Sequence, residues 1–129
     1  MRKLEFICAN PRPSTLDERN DCTVRATTLA LDKDYIEVHK AYSEHGRKNK
    51  KGVVIATVEA VCSKLAEDFG ILDFSNQDKT LKQFILENPK GHYVMIKRKH
   101  AFAVKNGVVY DDYKLGGNTI IRQAIKVKD

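Results

Sequence analysis

The 129-residue sequence has no apolar run approaching the roughly 18 residues that a membrane-spanning helix needs. Its first residues, Met-Arg-Lys-Leu-Glu-Phe-Ile-Cys, include two basic side chains but no apolar core long enough for a secretory signal. A cytoplasmic protein without membrane contact is expected. Cysteine is scarce and odd in number: Cys8, Cys22 and Cys62. A disulfide framework would use a denser, even set. The cysteine spacings of 14 and 40 residues fit no zinc knuckle or ribbon, and the four histidines lack ligand spacing. No metal site is therefore expected, and nothing in the sequence requires a cofactor. Internal repeats, low-complexity segments and linkers are missing too, which leaves one domain spanning residues 1–129.

What is present is a globular composition, 42% hydrophobic and 31% charged. Lys and Arg number 23 against 17 Asp and Glu, a formal charge of +6. Much of the excess lies in Arg-Lys-Asn-Lys-Lys at 47–51 and Lys-Arg-Lys at 97–99. Such a balance permits an acidic partner, nucleic acid included. Clusters this short read first as solvated loops. No aromatic residues alternate with them as in a base-stacking platform, so nucleic acid is allowed but not favoured.

Residues 3–8 read as a short strand and 9–20 as a polar, proline-containing loop. A helix is expected over 22–31, with Asn20 or Asp21 as its cap. Cys22, Ala26 and Ala30 recur at i, i+4 and i+8, a narrow face that lets another backbone approach closely. Residues 34–46 read as a second helix, opened by an Asp34/Glu37 capping box and stopped by Gly46. Residues 57–70 read as a third, with an apolar stripe through Val58, Val61, Cys62, Leu65, Ala66 and Phe69. A fourth begins at a Thr80/Gln83 capping box and ends at Pro89 and Gly91. Beyond Gly91 the period falls to two, giving strands at 92–96, 100–104, 107–113 and 119–127. Asn106-Gly107 marks a hairpin. The expected class is α+β, with helices on one side of an antiparallel meander.

Residues 19–26, Arg-Asn-Asp-Cys-Thr-Val-Arg-Ala, place Cys22 at a helix start. Unpaired N–H groups and the helix dipole favour a thiolate there. A cysteine hydrolase also needs an imidazole and a group that orients it. With a two-residue Asn106-Gly107 turn, Phe102 faces Asp111, and Asp111 lies diagonally across from His100 on the same face. Asp112 then points to the other face. His92 is the rival imidazole, but no carboxylate lies across a tight turn from it. His39 and His45 sit on a charged helix and read as exposed. Arg25 reads as structural, tying its helix to the sheet or to a loop carboxylate. Cys62 lies on the apolar stripe and reads as core, although Cys22 itself could equally be a small packing residue.

The chain order Cys22, His100, Asp111 resembles that of papain-like cysteine peptidases. The short format is similar to the double-glycine peptidases that cleave bacteriocin leaders. The Asp-Cys-x-x-Arg-Ala helix start and the His-x-x-x-Val…Gly-Val-Val-Tyr-Asp hairpin resemble small proteins of bacteria and their phages. This resemblance, over residues 19–112, implies a papain-like fold with N-terminal helices packed on a C-terminal antiparallel sheet. It implies a peptidase or isopeptidase acting on a protein or peptide, in the host cytoplasm if the protein is phage-encoded. Cys22 would be the nucleophile, His100 the general base and then acid, and Asp111 the orienter. The Cys-Gly-Ser-Cys-Trp signature is absent, and no glutamine lies upstream of Cys22 to complete an oxyanion hole. Asn20 or Thr15, with the Cys22 N–H, is expected in that role. Lys97, Arg98 and Lys99 would rim the site and favour acidic segments or a chain's C-terminal carboxylate. The alternative is an inactive protein of this fold that binds or inhibits a host protein. Thiol reactivity separates the two.

Overall fold

A computed structural model describes residues 4–129. From Gly91 onward the alternating residues form strands as the period requires. The strands are β3 (His92–Lys97), β4 (His100–Lys105), β5 (Val108–Asp111) and β6 (Gln123–Lys128). The β4–β5 turn has two residues, Asn106 and Gly107, with φ of 49° and 80°, so Val104 pairs with Val109 and Ala103 with Tyr110. This is the hairpin register read from the Asn-Gly signal. A second two-residue turn, Arg98-Lys99, joins β3 to β4 and puts Lys97 opposite His100.

The sheet is larger than the expected meander and is mixed. Its order is β1-β5-β4-β3-β6-β2. The added strands are β1 (Glu5–Cys8), parallel to β5, and β2 (Gly70–Asp73), antiparallel to β6. Of the 3–8 stretch read as a strand, Lys3 lies outside the described residues. Strand β2 corrects the reading of 57–70 as one helix. Helix α3 (Ile55–Leu65) stops early because the chain turns onto β6, where the Glu67 N–H donates to the Val127 carbonyl. Phe69 leaves the stripe and is exposed. Residues 119–127 are likewise a strand only from Gln123, with Ile120 bridging back to Thr80.

Helices cover both faces of the sheet, not one. Helices α1 (Cys22–Leu31), α2 (Tyr35–Glu44) and α3 share an apolar cluster with Val94, Ile96, Ala101 and Ala103. On the opposite face, α4 (Leu81–Glu87) buries Leu81 and Phe84 against Tyr93, Met95, Phe102 and Val109. Seven residues are too few for an independent helix, since about 12–15 are marginal in water. The Thr80/Gln83 capping box forms as read, and the two buried side chains supply the rest. The Asp34 cap does not form, and Glu37 lies near Lys33 instead, at 3.5 Å.

Helix α1 lies on β4 through small residues. Ala26 and Ala30 are buried in the same cluster as Ala101 and Ala103. Alanine against alanine lets a helix approach a strand closely. This contact brings the first residue of α1 beside the first residues of β4.

Candidate functional site

Cys22 and His100 line one cleft of about 330 Å³, between the start of α1 and the β3–β4 turn. Cys22 is half-buried. Burial opposes its ionisation. Hydrogen bonding to His100 and to the Ala101 backbone, with the charges of His100 and Arg25, outweighs burial and holds the thiol below its ordinary value.

His100 Nε2 lies 2.6 Å from Asp111 Oδ2. A carboxylate only accepts, so Nε2 carries the proton and Nδ1 is left for the thiol. Burial lowers the imidazole pKa, but the Asp111 hydrogen bond and Cys22 raise it further, to about 9. Asp111 is 4% exposed, and its Oδ1 accepts the Asp112 N–H at 2.8 Å. The ring is flanked by Phe102 at 6.2 Å and Tyr113 at 4.9 Å between centroids.

Asp21 does not cap α1. Its buried carboxylate accepts from Arg12 at 3.1 Å, Arg25 Nε at 3.1 Å and the Tyr35 hydroxyl at 2.7 Å. The same Arg25 reaches Asp112 Oδ2 at 2.6 Å. A continuous chain of contacts thus runs from Asp21, beside the thiol, through Arg25 and Asp112 to Asp111 and His100. The helix-to-loop tie expected of Arg25 is present.

The two proposed oxyanion side chains differ. Asn20 lines the cleft, but its Nδ2 donates to the Lys50 carbonyl at 3.0 Å. Thr15 is exposed in the preceding loop and does not line the cleft. The first-turn amides of α1 receive no side-chain cap and are the remaining donors at the thiol. Lys97, Arg98 and Lys99 all line the cleft.

His92 is buried at the far end of α1, with Nδ1 2.8 Å from the Ala30 carbonyl. Eight residues of helix, about 12 Å, separate Ala30 from Cys22. His39 and His45, read as exposed, are partly buried: His39 Nε2 lies 2.7 Å from Glu18 Oε2, and His45 Nδ1 2.8 Å from the Ala41 carbonyl. Nor is Arg47 a solvated loop residue. It is 6% exposed and donates to Glu18 at 2.9 Å. Cys62 is buried in the core, and burial pushes its thiol up to about 12. Cys8 is exposed, with Sγ 3.6 Å from the Asp112 carbonyl.

Sequence reasoning missed Arg122 and Thr23, both of which line the cleft. Arg122 directly precedes β6 and has no local signal. Thr23 follows Cys22 directly, but the outcome for its hydroxyl depends on tertiary packing. Tyr113 was within reach, because alternation puts it on the face of Asp111.

Among the described residues no group of histidine, cysteine and carboxylate side chains could hold a metal ion, and no helix is long and apolar enough to cross a membrane. No protein-family model, curated protein or solved structure matches the chain.

Proposed function

We propose that the protein is a cysteine hydrolase of papain-like arrangement that cleaves a peptide or isopeptide bond of a protein substrate. The observation that carries this reading is the position of His100. One ring nitrogen is on a buried carboxylate, and the ring lowers the pKa of a cysteine thiol in an open cleft. Such a pairing favours thiolate and imidazolium together at neutral pH.

The Cys22 thiolate adds to the scissile carbonyl carbon, and the α1 amides take up charge developing on the oxygen. His100 gives its proton to the departing amine as the carbon–nitrogen bond breaks, leaving a thioester. Neutral His100 then removes a proton from water, the hydroxide adds to the thioester, and the acid leaves with the thiolate restored. Asp111 keeps the ring oriented and supports its charged form.

A second reading, a binding protein without turnover, draws support from the engaged amide of Asn20 and the distance of Thr15 from the cleft. Both readings can be tested with iodoacetamide and a peptide library. The hydrolase reading expects iodoacetamide to label Cys22 before Cys8 and Cys62 at mildly acidic pH. It expects His100→Ala to slow the labelling, and Cys22→Ser to remove cleavage while leaving the fold intact. Fast labelling with no cleavage of any library member would favour the binding reading. Labelling of Cys8 ahead of Cys22 would end the hydrolase reading.

A further inference from the structure

The cleft beside Cys22 is chemically divided. One wall carries Lys97, Arg98, Lys99 and Arg122. Arg98, Lys99 and Arg122 are exposed, and no carboxylate lines the cleft. Among the described residues none of the four takes part in a salt bridge. Among the described residues the buried and half-buried arginines, Arg12, Arg25 and Arg47, are all paired. The rest of the lining is largely aliphatic: Val53, Ile55, Val58 and Ile96, the last directly before Lys97 on β3. Val58 and Ile96 are buried at its floor, and Ile55 stands 41% exposed at the rim. Thr23 also lines the cleft and is 8% exposed.

The geometry points to an acidic, aliphatic peptide segment as the substrate of this cleft, an inference that rests on the hydrolase reading. An aliphatic side chain fills the hollow over Val58 and Ile96. Acidic side chains meet the four cations. Charge complementarity of this kind sets preference and encounter rate more than it sets raw affinity. A nucleic acid fits the cleft less well, because its apolar wall is aliphatic and offers no ring on which a base could stack.

Three peptidyl fluoromethyl ketones test the assignment on the full chain: acetyl-Glu-Leu-Gly, acetyl-Lys-Leu-Gly and acetyl-Glu-Ser-Gly. Each alkylates the thiolate, forming a thioether to Cys22 Sγ and releasing fluoride. Rates are read by intact mass and divided by the iodoacetamide rate of the same protein, which removes differences in thiol reactivity. The Glu-Leu probe should react about tenfold faster than the Lys-Leu probe at low salt, and the gap should narrow in concentrated NaCl. It should also outpace the Glu-Ser probe. The Arg98→Glu/Arg122→Glu double variant should reverse the Glu-over-Lys preference. Equal normalised rates for the Glu and Lys probes would overturn the specificity, while fast iodoacetamide labelling would leave Cys22 as a nucleophile. Slow iodoacetamide labelling of Cys22 would instead remove the hydrolase reading on which the inference rests. Stronger protection of Cys22 by a single-stranded oligonucleotide than by a Glu-rich decapeptide would reassign the cations to nucleic acid.

Discussion

A carboxylate next to a nucleophilic thiol opposes its ionisation unless that charge is taken up elsewhere. Asp21 precedes Cys22, and its charge is taken up by Arg12 and Arg25, with a third hydrogen bond from Tyr35. Arg25 then does more than hold the helix. By gripping Asp112 it fixes the loop whose N–H occupies Asp111 Oδ1, which leaves Oδ2 for His100. Two anions therefore flank the site without facing the thiol, and the cation nearest the sulfur is the imidazole. That imidazole has two supports, Asp111 and Cys22, working against burial. Replacing Cys22 with Ala removes one of them. The His100 Cε1 proton, followed by NMR against pH, should titrate below about 9 in the variant but above the ordinary 6.5, because Asp111 remains. An unchanged midpoint would show that thiol and ring do not interact.

At the scale of elements, two loops build the cleft wall opposite the hairpin, and Glu18 joins them. Its carboxylate, buried, meets Arg47, the His39 ring and the N–H groups of Arg19 and Lys50. Burial raises its pKa, and these partners more than reverse that, to about 2. A depressed carboxylate contributes stability that is full above its ordinary 4.5 and lost as pH falls through about 2. Glu18→Gln leaves the Arg47 charge buried without its partner, so a loss on the order of 3 kcal/mol is expected at neutral pH. Urea unfolding should show that gap closing near pH 2, where the wild-type carboxyl is neutral too. A gap independent of pH would mean the loss is one of packing. None of this hub is visible in the sequence, since its members lie 1 to 32 residues apart along the chain. What was legible is what local chemistry decides. The Asn106-Gly107 turn fixed the β4–β5 register. The Thr80/Gln83 box began α4. The i, i+4 alanines announced a close helix-to-strand contact, and Asp21 to Arg25 is itself an i, i+4 pair. Cys22, His100 and Asp111 could be read together because each hangs on one of these local devices. Strand β2 and the β1–β5 pairing could not, because Gly-Ile-Leu-Asp and Glu-Phe-Ile-Cys take their partners from distant chain. The side chains of Arg47, His39 and Thr23 were hidden for the same reason.

Across the whole molecule, the sheet separates two apolar clusters, and the candidate site joins the α1 layer to the sheet itself. Cys22 belongs to the α1 layer, and His100 and Asp111 to the hairpin. Folding therefore brings the thiol and the imidazole together, and their titration is written into global stability. Taken alone, the raised pKa of His100 contributes stability that is full below 6.5 and lost as pH rises through about 9. Cys22 has the opposite sign: its lowered pKa contributes stability that is full above 9.0 and lost as pH falls through the lowered value. Above 6.5 and above the lowered Cys22 value, the unfolded pair holds one proton, on sulfur, and the folded pair holds one, on the ring. Equal proton counts mean no slope, so once Cys22 has ionised this pair adds no pH dependence until about 9. Cys22→Ser breaks the balance. Its unfolded state holds no proton at this site above 6.5, while its folded state still holds one on His100 beside Asp111. Above pH 6.5, wherever wild-type Cys22 is ionised, the variant should lose up to about 1.4 kcal/mol per pH unit relative to wild type, until the His100 midpoint that remains. Groups common to both proteins cancel in the difference, so urea midpoints from pH 6 to 9 at constant slope suffice to measure it. Parallel stability profiles for the two proteins would show that no proton passes from Cys22 to His100 on folding, and the thiolate mechanism would fall with it.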